Sequence, residues 1–169
     1  MAPPVAVVLL SPTECLDIRT YATAIRDWNR EHGRQDKMNH NRGTDYEYEL
    51  EYRGRIGEYA LAKHLGVDYE FTLGYEANRD VAGYEVRTRS RHHYDLLTYA
   101  DDRPGIYIHA STESSRLVML HGWSTLEDTL RPERFADWMQ RPCYLTPRSE
   151  LYPMAFLPPA TQHSTLTTA

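Results

Sequence analysis

The chain has 169 residues, 41% hydrophobic and 25% charged, with a formal net charge of −5. That length suits one domain with a substantial core and is short for two ordinary ones. An acidic total argues against a protein that binds nucleic acid through its whole surface, yet it allows an enzyme with a local basic patch.

The opening VAVVLL is a short apolar run without a basic lead-in, so it reads poorly as a signal peptide. No apolar run approaches the roughly 18 residues needed to span a bilayer, so a cytoplasmic protein with no membrane contact is expected. LSPTECL then opens a helix: Ser11 caps, Pro12 takes the first helical position and Glu14 completes a capping box. Ile18, Tyr21, Ala22, Ile25 and Trp28 continue the apolar period, predicting a helix over 12–31. Cys15 and Cys143 lie too far apart for a CxxC metal pair, and they read as small buried thiols.

Residues 32–45 are polar and aperiodic, which predicts a loop. RGRIGEYALAKHLG predicts a second helix ending at Gly66, with Ile56, Ala60, Leu61, His64 and Leu65 on its buried side. The preceding YEYELEY alternates and is compatible with either a strand or an extension of that helix. Short β-like runs follow: DYEFTL, GYEVRTR, DLLTYA, GIYIHAS and RLVMLHGW. ADDRPG between the third and fourth reads as a turn. RPERFADWMQ predicts a short helix, CYLTP an edge strand, and the last dozen residues a frayed tail. The order predicts an α+β domain over 1–156, with a central mixed, largely antiparallel sheet flanked by helices and a disordered tail over 157–169.

The stretch DVAGYEVRTRSRHH carries the densest chemistry. Ala82-Gly83 supplies a tight turn, so a hairpin brings Asp80 alongside Glu85. Glu85 and Arg87 lie two apart in a strand and project from one face. Two neighbouring carboxylates repel unless a cation lies between them. Magnesium suits such a pair because it accepts one or two carboxylates, keeps waters and binds phosphate oxygens. A solvent-facing charge row with an Asp turn-former accounts for the same residues. Glu58 borders the buried side of the second helix, beside Leu61 and Leu65, where a carboxylate needs a partner. Arg55 or Lys63 on the helix surface could be that partner.

Arg89 and Arg91 share Arg87's side by strand alternation, and His92, His93 and Tyr94 follow. Such a basic row suits a phosphate backbone and equally suits a solvated strand face. Adjacent histidines in a strand point to opposite sides, so HHYD does not read as a zinc site. His109 and His121 read as satisfied structural groups.

Taken together, RGRIGEYALAKHLG, DVAGYEVRTRSR and a strand-rich stretch ending in GW resemble the PD-(D/E)xK nuclease-like superfamily, closest to its small phage- and mobile-element-type members. The likeness covers residues 50 to 125, with looser echoes in RPCYLTPRSEL. It implies a restriction-endonuclease-like core with an N-terminal helix, and a metal-dependent nuclease or nuclease-like protein acting on DNA phosphodiester bonds. It further implies Mg²⁺, or Mn²⁺, held by Asp80, Glu85 and Glu58, with the Val86 carbonyl also able to face the ion. Arg89, Arg91 and His92 would contact nucleic acid. The chain departs from the motif at two positions. Arg87 stands where the superfamily has lysine, and Arg79 stands where it has proline. Arginine stabilises phosphate charge but cannot serve as a base. The alternative implied is a catalytically inactive nuclease-fold protein that binds nucleic acid or a protein partner.

Overall fold

The computed structural model describes residues 4–33, 44–73, 80–114 and 116–159. VAVVLL, which reads poorly as a signal peptide, forms strand β1 (Ala6–Leu9), which pairs antiparallel with β5 (Leu117–Thr125). Helix α1 (Pro12–Glu31) begins with the capping box. Ser11 N–H donates to Glu14 Oε2 at 2.6 Å, and Glu14 N–H donates to Ser11 Oγ at 3.1 Å. Two orphan donors of the first turn are thereby satisfied.

Helix α2 (Thr44–Leu65) absorbs YEYELEY, resolving the ambiguity of that run; most of the expected loop, 34–43, lies outside the described residues. Gly66 ends α2 with φ 68°, its N–H reaching Lys63 O while Val67 N–H reaches Ala62 O, a Schellman pair. The expected strand DYEFTL does not form. Over 67–73 the chain runs without strand pairing, and Tyr69 and Phe71 instead pack edge-on against Tyr21 of α1. Aromatic packing there outweighs the β-tendency of the run.

The main sheet has four strands in the order β1-β5-β4-β2. Strands β2 (Glu85–Arg89) and β4 (Ile106–Ser111) are parallel, and the other neighbours are antiparallel, so the sheet is mixed and largely antiparallel in an α+β fold. A second sheet of three strands has the order β3-β7-β6, from β3 (Leu96–Thr98), β6 (Phe135–Ala136) and β7 (Cys143–Thr146). CYLTP is therefore the central strand there, not an edge. The helix expected over RPERFADWMQ is absent: a 3-10 turn at Pro132–Arg134 leads straight into β6. Buried Arg134 reaches back to the Asp128 carbonyl and Glu150, which draws the following residues onto β7. A four-residue helix α3 (Leu126–Thr129), capped by Thr125, precedes it.

Helices α1 and α2 cover one face of the main sheet. Ile18, Ala22, Ile56, Ala60 and Leu61 meet Val8, Val86, Ile108, Ala110, Val118 and Leu120 there. Leu96, Tyr107, Leu126 and Leu151 fill the opposite side. At Gly57 the helix comes so near β2 that a Cβ would lie 1.8 Å from Thr88 Oγ1, a proximity that only glycine permits. Of the tail expected over 157–169, residues 160–169 lie outside the described residues, and the first residues are held in place. Leu157 packs on the core and Tyr84 Oη–H donates to the Pro158 carbonyl at 2.6 Å. Among the described residues no helix is long and apolar enough to cross a membrane.

Candidate functional site

Val81 and Tyr84 exchange both backbone hydrogen bonds across Ala82-Gly83. Both turn residues have positive φ, 49° and 89°, as a two-residue hairpin matched to strand twist requires. Val81, Tyr84 and Val86 point into the helix-covered core, so alternation sends Asp80, Glu85 and Arg87 to the other side. β2 is the outer strand of its sheet, and its Val86 N–H faces the open edge. Asp80 Oδ2 accepts that N–H at 2.8 Å. The Asp80 residue is exposed as a whole while its carboxylate is turned inward onto the strand. Burial raises its pKa, the Val86 N–H opposes the rise, the neighbouring Glu85 charge adds to it, and Arg55 and Arg87 oppose it.

Glu58 approaches from the helix side. Its carboxylate is buried and receives both a two-pronged contact from Arg55 Nη1, at 2.9 and 2.8 Å, and the Tyr69 hydroxyl at 2.6 Å. Of the two sequence-level partners, Arg55 takes Glu58, whereas Lys63 bonds Glu14. Burial pushes Glu58 up to about 7; Arg55 opposes this and the Asp80 charge reinforces it. Burial alone would weaken the Arg55 charge, but Glu58, Tyr69 and Glu51 outweigh it and raise its pKa. Glu58 is thus electrostatically joined to Asp80.

On the outer face Glu85 accepts from Arg103 Nη2 at 2.5 Å. Arg87, at the position where lysine was anticipated, turns to Asp102: Nη2 to Oδ1 is 2.7 Å, with its guanidinium over the Tyr107 ring. Asp102 is itself fixed by the Tyr99 N–H at 2.8 Å. Tyr69, Asp102 and Arg103 complete the electrostatics of this site, and of its partners only Arg55 was legible in the sequence. ADDRPG reads only as a turn in the sequence, since nothing in it shows that Asp102 and Arg103 fold back onto β2.

Asp80 and Glu85 form a like-charged pair on one side of the hairpin, with the exposed edge beside them. Such a donor set fits a divalent cation that keeps most of its waters. Among the described residues no three His, Cys, Asp or Glu side chains group as ligands of one ion, and the Glu58 carboxylate is already engaged by Arg55 and Tyr69.

The basic row divides. Arg89 stays on Arg87's side of β2, but Arg91 lies beyond the strand in an exposed turn, so alternation does not align it. His92 and His93 belong to that turn as well. His92 is tied inward, its Nδ1 paired with Ser111 Oγ at 2.7 Å and its backbone N–H bonded to Glu113. Ser111 Oγ also meets His121 Nε2 at 2.6 Å, and the His121 ring stacks on His109, which bonds the Tyr94 carbonyl through Nε2. Burial lowers His109 to about 3, with His121 and Arg89 pushing the same way and the Tyr94 carbonyl opposing. Burial lowers His121 to about 4, helped by Arg148 and His92. These neutral histidines hold β4 and β5 to the turn after β2. Comparison with protein-family models, with curated proteins and with solved structures yields no match.

Proposed function

We propose that this chain is a metal-dependent nuclease, or a nuclease-like protein, acting on DNA phosphodiester bonds at the edge of β2. The observation that supports it best is the Asp80 carboxylate clamped on Val86 N–H beside Glu85, on the open edge of an outer strand. Asp80 and Glu85 would hold Mg²⁺ or Mn²⁺, which when bound would polarise the phosphodiester and make water a stronger nucleophile. Asp80 is oriented by the strand backbone. Glu85 is paired with half-exposed Arg103, whose guanidinium is of the kind that engages phosphate oxygens. Glu58, poised near neutrality and linked to Asp80 by charge, can hold or give up a proton beside the site. Arg87 remains cationic and its part is electrostatic, because arginine cannot take a proton.

A second reading is favoured by a different observation: Glu58, Glu85 and Arg87 each already have a counter-charge in Arg55, Arg103 and Asp102. Charges satisfied in this way suit a nuclease-fold protein that binds nucleic acid or another protein without cutting. Incubating single- and double-stranded DNA with the protein in Mg²⁺ or Mn²⁺, beside Asp80→Asn, separates the two. Asparagine keeps an acceptor for Val86 N–H and removes the charge. Divalent-dependent cleavage lost in the variant supports the nuclease; DNA binding without cleavage in the wild type supports the binding module.

A further inference from the structure

Beyond the acids, on the same face of β2, lies a cavity of about 450 Å³ lined by Arg89, His93, Tyr94, Asp95, Met139 and Leu145. Its size falls in the range of small-ligand pockets. Met139 and Leu145 belong to the small apolar cluster of the second sheet and give the cavity an apolar wall. The Arg89 guanidinium lies over the Tyr94 ring, 5.1 Å from its centroid. Among the described residues Arg89 has no acid within ion-pair distance, and its Nε is buried without a hydrogen-bond partner. Asp95 shares the wall yet lies outside that distance. Burial lowers the Arg89 pKa while Cys143, Tyr94, Tyr99 and Asp95 oppose the change, leaving it a cation in want of an anion. The neighbouring arginines differ: Arg55, Arg87 and Arg103 are all paired with carboxylates.

We propose that this pocket takes one nucleotide unit of a nucleic-acid strand, its phosphate on Arg89 and its base against Tyr94, Met139 and Leu145. A forked guanidinium suits a phosphate, and an aromatic face with an apolar wall suits a base whatever its identity. Asp95 turns the phosphate toward Arg89 and offers an acceptor to an exocyclic amino group. Arg89 is four residues along β2 from Glu85, or about 13 Å at strand rise, so the pocket would hold a nucleotide flanking the bond under attack. That placement rests on the nuclease reading, whereas occupancy of the pocket does not.

The test is titration of metal-free protein in EDTA with deoxycytidine monophosphate, followed by amide chemical shifts. Deoxycytidine, inorganic phosphate and a short single-stranded oligonucleotide serve as further arms. Expected are shifts centred on Arg89, Tyr94, Met139 and Leu145, weaker binding of nucleoside and of phosphate alone, and at least tenfold loss in Arg89→Ala. Tighter binding of the oligonucleotide than of the mononucleotide assigns the pocket to a strand; equal binding limits it to free nucleotides and overturns the strand assignment. Absence of shifts at millimolar nucleotide overturns the proposal on the wild type alone, whether or not the variant folds. Binding without any cleavage would leave the pocket standing and remove the nuclease; cleavage without nucleotide binding would do the reverse.

Discussion

Arg87 and Asp102 form an ion pair of 2.7 Å on the outer face of the main sheet, tying β2 to the turn before β4. The aspartate is nearly buried, at 9% side-chain exposure, while Arg87 is 31% exposed. Removing the arginine leaves a desolvated carboxylate without its counter-charge. Arg87→Ala should therefore destabilise the fold by about 2 kcal/mol, less than a fully buried pair would cost because water reaches the arginine. Urea denaturation of both single variants and the double variant with Asp102→Ala checks this. The double variant should lose less than the sum of the two.

Gly57→Ala makes a sharper steric prediction. The added methyl carbon meets Thr88 Oγ1 at 1.8 Å, so α2 and β2 must separate. Alanine's better helix propensity offsets about 1 kcal/mol. The net effect is a loss of about 1–3 kcal/mol, as for overpacked cores. Adding Thr88→Ala should recover part of it, because Thr88 Oγ1 has no hydrogen-bond partner to lose. Thermal melting of the two single variants and the double variant reads the result.

Glu58 and the two buried histidines impose opposite pH dependences. Glu58 titrates near 7 in the fold and near 4.5 when unfolded, so the folded state binds more protons between these values. Its stabilising contribution is complete below 4.5 and is lost as pH rises through 7. His109 and His121 titrate near 3 and 4 in the fold against 6.5 unfolded, so their contribution is present above 6.5 and is lost as pH falls toward 4. Glu58→Gln should thus gain on the wild type as pH rises from 5 to 8, with a slope no steeper than about 1.4 kcal/mol per pH unit. His121→Gln should lose the His121 share of the acid-side slope and keep that of His109. Denaturant titrations across that pH range distinguish the two.

Local chemistry made much of the fold legible in the sequence. The capping box of Ser11 and Glu14 placed the start of α1, Gly66 placed the end of α2, and Ala82-Gly83 placed the hairpin that sets Asp80 beside Glu85. Signals of this kind act over a few residues and survive folding. The readings that failed depend on distant partners. DYEFTL has the composition of a strand, but its aromatic side chains found Tyr21 and Tyr59 before its backbone found a sheet. RPERFADWMQ has helical spacing, but Arg134 was drawn inward to Glu150 and the next residues joined β7. The site divides in the same way. The acids were visible by type and spacing. Their counter-ions Arg103 and Asp102 lie 18 and 15 residues from Glu85 and Arg87, and only the β2-to-β4 crossover brings them back.

The central claim is that Asp80 and Glu85 share one divalent cation while Glu58 stands apart. Calorimetric titration of Mn²⁺ into wild type, Asp80→Asn, Glu85→Gln and Glu58→Gln tests it most directly. The account predicts one site in the wild type, binding weakened at least tenfold in both Asp80→Asn and Glu85→Gln, and retention of the site in Glu58→Gln. A wild type that binds no Mn²⁺, or an Asp80→Asn variant that binds it as well as the wild type does, would contradict it.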